Sequence, residues 1–196
     1  TATHYREVTN LAAISQKIGH VSVLPGPAVP LISLIVPTYN TSRAYLTDLV
    51  NSYRLQTPGL AELIFSDDGS TSKETLECLA SFSRTPGIHY VSNQVNGGIA
   101  QATNRGLAKA RGTWIGLVDH DDALSPHALD EFAIAIAENP DAKFFYSDEV
   151  VTDAKLRPTG YILKPVFDRI LLSGVNYINH LSLYQRDRLM ALNGLR

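Results

Sequence analysis

Four consecutive residues, Asp119, His120, Asp121 and Asp122, close the apolar run Trp114-Ile115-Gly116-Leu117-Val118. Three carboxylates this close together repel one another, raising some of their pKa values, unless a cation lies among them. Oxygen ligands select hard divalent cations such as Mg2+ or Mn2+. In an extended segment Asp119 and Asp121 point the same way, whereas in a turn Asp122 takes the place of either. Asp119, Asp121 and Asp122 are therefore the metal candidates, and a plain acidic turn is the alternative. A helix cap needs only one such side chain, and Ser125-Pro126 is expected to supply the cap and first-turn proline of the following helix. His120 alternates away from the two ligands, toward the edge of the site or into a structural contact.

Three other polar clusters stand at the ends of apolar runs. Leu31–Val36 leads into Pro37-Thr38-Tyr39-Asn40, and Glu62–Phe65 leads through Ser66 into Asp67-Asp68-Gly69-Ser70. Ile88–Val91 leads into a stretch that ends Asn96-Gly97-Gly98. Short β-branched runs of this kind mark strands buried on both faces. Each is followed by helical spacing: Leu46, Leu49, Val50 and Tyr53 with Ser42 as cap; Leu76, Leu79 and Ala80; Ile99, Ala102, Gly106 and Ala110; Leu129, Phe132, Ala133 and Ile136. Four strand-then-helix units predict an α/β fold, Rossmann-like, with a mostly parallel twisted sheet and helices on both faces. Beyond Asn139, "KFFYSDEVVT", "TGYILK" and "LSLYQ" read as strands of a mixed, partly antiparallel portion. Ligands of open α/β sheets sit beyond the carboxyl ends of the strands, and all four exits are polar there without Lys or Arg.

Each cluster has a plainer reading. Asp67 and Asp68 suit a turn and a helix cap, and Gly97 and Gly98 free the backbone to turn into a helix. Asn104 and Arg105 fit an exposed helix face. "NGGIAQATNRG" lacks the spacing and the terminal Lys-Ser/Thr of a phosphate-binding loop.

Composition narrows the field. The chain has 196 residues, enough for one sizeable domain. Its 17 basic and 19 acidic residues leave it near neutrality without a basic cluster, which argues against nucleic acid as a partner. The lone Cys78 excludes an internal disulfide framework and suits a reducing compartment. No transmembrane segment is expected, because Pro25, Pro27 and Pro30 interrupt the longest apolar stretch. Residues 1–30 read as a lead-in, with a short helix over "LAAISQKI" and a stiff "LPGPAVP" connector, and residues 31–196 as the domain. The chain begins without Met and stops on "LNGLR", so a piece of a longer protein is expected.

Together, "PLISLIVPTYN", "LIFSDDGST", "NGGIAQATNRGLAKARGTWIGLVDHDD" and "YSDE" resemble glycosyltransferase family 2, from about Pro30 to the end. These are inverting enzymes of GT-A fold that use nucleotide-diphospho sugars. The segment "YSDE…KP…NYINH" is most similar to bacterial members that build O-antigen, capsule and other surface polysaccharides. The resemblance implies a divalent metal, Mn2+ or Mg2+, and a donor that is most often UDP-linked. It also implies a saccharide or lipid-linked saccharide acceptor, and a cytoplasmic location with peripheral association at the inner face of a membrane.

On this resemblance Pro37, Thr38 and Tyr39, with Asn40 beside them, line a nucleobase pocket. Asp68 accepts a hydrogen bond from the base and Asp67 supports its turn. Asn96, Gly97 and Gly98 run near base and ribose, and Asn104 or Arg105 closes that side. Asp119-His120-Asp121 matches the Asp-x-Asp motif that contacts ribose and holds the metal, with Asp121 catalytic in that sense; Asp122 helps with metal or sugar hydroxyls. A general base is also needed, and its usual acidic motif is absent before Arg196, so it is expected farther along the polypeptide. Asp148 and Glu149 of "YSDE" are the remaining acceptor-side candidates, and Lys164 and His180 are candidates for acceptor or diphosphate. Two rival readings stand: a non-catalytic nucleotide-sugar-binding module of a larger enzyme, and a nucleotidyltransferase. The second expects an early basic Gly-rich loop, of which "PTYNTSR" offers little.

Overall fold

The computed structural model describes residues 29–196; the expected "LAAISQKI" helix and most of the "LPGPAVP" connector lie outside them. In chain order the elements are β1 (Ile32–Thr38), α1 (Arg43–Arg54), β2 (Ala61–Asp67), α2 (Lys73–Phe82), β3 (Ile88–Ser92), α3 (Ile99–Lys109), β4 (Trp114–Leu117) and α4 (Ala128–Glu138). There follow β5 (Phe144–Tyr146), β6 (Glu149–Thr152), β7 (Pro158–Ile162), α5 (Arg169–Gly174), β8 (Ser182–Gln185) and α6 (Arg186–Ala191).

The main sheet has six strands in the order β3-β2-β1-β4-β8-β5. β1 to β4 run parallel, and β8 pairs antiparallel with both β4 and β5. The α/β reading of the sequence holds, including its mixed C-terminal portion. "KFFYSDEVVT" is not one strand, however. Its first half is β5 of the main sheet, and its second half is β6, which pairs with β7 in a separate two-stranded sheet. The Ser147-Asp148 step between them changes sheets.

Alternation along β1 explains the layers. Ile32, Leu34 and Val36 face a core shared with Leu46, Leu49 and Val50 of α1, Leu79 of α2 and Leu129 of α4. Ile35 faces the opposite side, against Leu107 beside Ile64 and Ile115. Every residue of β2 is buried, as a central parallel strand requires. α3 lies unusually close to the sheet: a Cβ on Gly106 would stand 2.5 Å from Ile35 Cγ2, and Ser66 Oγ donates to the Ala102 carbonyl at 2.6 Å. In α2 the buried stripe is Thr75, Cys78 and Leu79, while Ala80, expected inside, is exposed.

The start of α4 also differs from expectation. Ser42 does cap α1, accepting from Tyr45 N, but Ser125 does not cap α4. His127 occupies that cap position in the left-handed region at φ 64, with no side-chain bond to the helix. The buried Gln56 serves instead: its Oε1 accepts from Leu129 N at 3.1 Å, and its Nε2 donates to the Ser125 carbonyl at 3.1 Å. An amide at the end of α1 thus satisfies an orphan amide of α4.

One charge cluster is buried on β2, within the "ELIF" run. Glu62 is 1% exposed and accepts from Ser33 Oγ (2.6 Å), Arg111 N (2.8 Å) and Arg111 Nε (2.9 Å), with His89 Nε2 at 3.1 Å. Burial pushes this carboxyl up, but the Ser33 hydroxyl and the Arg111 backbone and guanidinium outweigh it, so its pKa lies below the ordinary 4.5. Glu62 therefore stabilises the fold above pH 4.5, and that contribution disappears as pH falls through its lowered pKa. Glu62→Ala, which takes the acceptor from the buried Ser33 hydroxyl and from Arg111 N while the half-exposed Arg111 guanidinium turns to solvent, is expected to cost about 1–3 kcal/mol by urea denaturation at pH 7. The same titration repeated toward pH 3 should show the difference between wild type and variant shrinking; a constant difference would contradict the role.

Candidate active site

The parallel registers bring the strand exits to one edge. Thr38 lies opposite Asp67, and Asp67 opposite Ser92. Asp68 N donates to the Thr38 carbonyl at 2.8 Å, and Val118 N to the Ile35 carbonyl at 3.1 Å. With β1 flanked by β2 on one side and β4 on the other, the crossover direction reverses between β1 and β4, where open α/β sheets form their ligand crevice.

Two adjoining open clefts occupy this edge, and both are lined by Pro37 and Ile99. The first, about 170 Å3, is also lined by Thr38, Tyr39, Asp68, Asn96, Gly98, Ala102 and His120. Asp68 is its centre. Its Oδ2 accepts from Gly97 N at 2.9 Å and Gly98 N at 2.6 Å, while its buried Oδ1 has no hydrogen-bond partner. Gly98 adopts φ 87, a conformation that favours glycine and that aims its N–H at the carboxylate. The Thr38 hydroxyl is likewise buried without a partner. Arg105 Nη2 stands 3.8 Å from Asp68 Oδ1, and its Nη1 donates to the Asp67 carbonyl at 3.2 Å.

Two candidates from these exits are occupied within the fold. Asp67 accepts from Ser70 N at 3.2 Å and from the Ser70 hydroxyl, which in turn accepts from Asn40 N at 2.8 Å. Asn40 Oδ1 accepts from Thr71 N (2.9 Å) and Ser72 N (2.8 Å). Asn40 and Asp67 thus brace the first two exits against each other. Asn104 faces away from Asp68: it exchanges two hydrogen bonds with the Leu195 backbone, at 2.9 and 2.8 Å. That exchange holds Leu195 in place, and Leu195 and Arg196 both line the second cleft.

The second cleft, about 310 Å3, takes in Leu117, Val118, Asp119, Asn179, His180 and Tyr184. Its acidic segment is a turn, with Asp122 N donating to the Asp119 carbonyl at 3.3 Å. The turn carries Asp119 and Asp122 to one side and leaves Asp121 at the apex, 3.8 Å from His120 Nδ1. Ligand atoms of Asp119, Asp122 and His180 lie within 4.8 Å of one another. His180 Nδ1 is 2.9 Å from Asp122 Oδ2 and 3.8 Å from Asp119 Oδ2. Burial holds the Asp122 carboxyl above the usual carboxylate range, with Asp119 and Asp121 adding to the rise and His180 opposing it. A cation at this corner would relieve the carboxylate repulsion. Two carboxylates and one imidazole suit Mn2+ better than they suit Mg2+.

The acceptor-side candidates meet on Lys164. Its Nζ is 2.6 Å from Glu149 Oε1, and its backbone N–H donates to Asp148 Oδ1 at 2.8 Å. Sequence reasoning did not foresee His180 beside the acidic turn, or Arg196 at the second cleft. Ile99, read as a core position, is 69% exposed and forms the apolar wall common to both clefts. Among the described residues, no helix is long and apolar enough to cross a membrane.

Residues 33–187 match the description Glycosyl transferase family 2. The chain is 32% identical over 192 residues to the O-antigen biosynthesis protein RfbC of Myxococcus xanthus, covering 97% of this chain and 15% of that protein. It is 40% identical over 109 residues to the chondroitin synthase of Escherichia coli, covering 53% of this chain and 16% of that one. The crystal structure of S. aureus TarS 1-349 superposes with a TM-score of 0.63 at 25% identity, over 83% of this chain and 49% of that one. The chain spans about a sixth of the length of these two relatives, and its match covers about half of the TarS chain. A match through four-fifths of the sequence, on a fold whose strand exits gather the quoted motifs into two joined clefts, gives the conclusion that the chain belongs to glycosyltransferase family 2.

Proposed function

We propose that this domain binds a uridine-diphospho sugar together with Mn2+ and transfers the sugar, with inversion, to a saccharide or lipid-linked saccharide acceptor. The observation that carries the reading is the pairing of the two clefts. One presents buried acceptors without partners, and the other, across Pro37 and Ile99, presents a carboxylate and imidazole corner. The names of RfbC and chondroitin synthase support a polysaccharide product.

The base preference follows from Asp68. Guanine offers a carboxylate two parallel donors, whereas the uracil imide offers one N–H. Only one oxygen of Asp68 is free, so the match is to uracil. Tyr39 and Ile99, both largely exposed at the cleft, supply apolar surface for the ring. Asp119, Asp122 and His180 would hold the cation, with Asp121 beside them at the turn apex. A bound divalent cation neutralises charge developing on the diphosphate as the anomeric C–O bond breaks. Arg196 adds positive charge on the same cleft.

The acceptor hydroxyl must lose its proton as it attacks the face of the anomeric carbon opposite the diphosphate, and a positioned base contributes roughly 10²–10⁴-fold. Asp148 and Glu149 are the domain's own candidates for that task, and both are already engaged by Lys164.

Calorimetric titration with UDP and UDP-GlcNAc, with and without Mn2+, tests the reading; affinity insensitive to Mn2+ would contradict the metal half. Asp68→Asn replaces an acceptor by a donor at the base. UDP should then bind at least about tenfold more weakly, the cost of one charge-assisted hydrogen bond. CDP, whose ring nitrogen accepts, should lose less. Asp122→Ala should abolish the Mn2+-dependent gain in UDP affinity, and Asp121→Ala should reduce it by a smaller factor.

A further inference from the structure

We propose that Lys164 is a positioning residue for the metal corner, and that the segment Ser147–Glu149 and Lys164 together form a clamp that sets the His180 imidazole over Asp119 and Asp122. The proposal rests on the reading that His180 is a metal ligand, and it goes beyond it by naming what holds that ligand in place.

His180 stands just outside the ladder that joins β5 to β8. The last rung is Ser147, whose backbone N–H donates to the Leu181 carbonyl at 3.1 Å and whose hydroxyl accepts from Leu181 N at 3.1 Å. Beyond that rung the chain turns, with His180 in the left-handed region at φ 54, where a side chain other than glycine needs its surroundings to hold it. Those surroundings are the Lys164 ammonium. Its side chain is 1% exposed, and it donates to the Asn179 carbonyl, to the His180 carbonyl at 3.3 Å and to Glu149 Oε1 at 2.6 Å. A lysine has three donors, and all three are used. Two of them grip the consecutive carbonyls that bracket the His180 backbone, and the third takes the charge partner that makes a buried ammonium tolerable. Asp148 completes the clamp by accepting from Lys164 N at 2.8 Å.

Ser147, Asp148 and Glu149 are therefore all directed at one task, and none of the four clamp residues lies in the group of metal-ligand atoms itself. A ligand's orientation is commonly set by partners one contact removed, whose loss costs roughly 10–100-fold in metal affinity. Lys164 reaches His180 through the backbone rather than through the ring, so it fixes where the imidazole starts without contacting either ring nitrogen.

The test titrates Mn2+ alone, by calorimetry and by the electron spin resonance signal of free Mn2+, into wild type, His180→Ala, Lys164→Met, Lys164→Arg and Glu149→Gln. UDP affinity in EDTA is measured in parallel, because it reads the Asp68 cleft without the metal. The expected result is a loss of Mn2+ affinity of about tenfold or more in Lys164→Met, with metal-free UDP affinity within about twofold of wild type and partial recovery in Lys164→Arg. If Lys164→Met fails to fold, Glu149→Gln in the exposed hairpin carries the same test, with a several-fold loss expected. Weakened Mn2+ binding in His180→Ala but wild-type binding in the clamp variants would overturn the role of Lys164 and leave the ligand reading intact. Wild-type Mn2+ binding in His180→Ala would overturn the ligand reading, and the clamp with it. Equal losses of Mn2+ and metal-free UDP binding would mark Lys164 as a general structural lysine and overturn the proposal.

Discussion

The site depends first on a carboxylate used asymmetrically. Asp68 spends one oxygen on two consecutive glycine N–H groups and keeps the other buried and bare. The spent oxygen joins the second strand exit to the third and orders the start of α3. The other is buried without a hydrogen bond, and its nearest cationic group is the Arg105 guanidinium at 3.8 Å. Burial of such a group costs stability on its own. The Arg105 guanidinium, 3.8 Å from that oxygen, offsets part of the cost, and the bonds of Asp67 to Ser70 and of Asn40 to Thr71 and Ser72 hold the turn in place.

Around that point the architecture divides labour by strand direction. Three of the parallel strands, β1 to β3, supply the first cleft with Thr38, Asp68 and Asn96 from exits that are neighbours in register, and His120 joins them from beyond β4. The corner of Asp119, Asp122 and His180 is made where a parallel strand meets an antiparallel one. β8 runs opposite to β4, with Leu117 facing Ser182, so the residues after β4 lie beside those before β8. That pairing is what brings His180 to Asp119 and Asp122. The two corners are then bridged by Pro37 and by Ile99, an apolar side chain left exposed at the first turn of α3.

The same division explains what was legible in the sequence. The four strand-helix repeats and their polar exits could be read because each is written locally, as a β-branched run followed by Thr38, Asp68, Asn96 or Asp119. Local chemistry did not decide which two carboxylates of the acidic turn converge: the choice of Asp122 over Asp121 follows from one hydrogen bond, Asp122 N to the Asp119 carbonyl. His180 was invisible as a partner of that turn because the link is strand pairing across 58 residues. Glu62, which opens the strand run Glu62–Phe65, is buried with partners 29 and 49 residues away. The cap of α4 differs from the sequence expectation for a related reason: Ser125-Pro126 has the right local form, but Gln56 reaches Leu129 from the bend after α1.

The hairpin of β6 and β7 stands apart from the main sheet, and Val150, Val151, Tyr161 and Ile162 remain substantially exposed on it. A two-stranded ribbon with so little buried apolar surface has a small free energy of local opening, far below that of the six-stranded core. It nevertheless carries Glu149, and the residue after its second strand but one is Lys164. The two clefts therefore sit on different rungs of stability. Local opening of the hairpin would release the hold of Lys164 on the Asn179 and His180 carbonyls while Thr38 and Asp68 stay in place on the parallel core, so the two clefts can loosen independently.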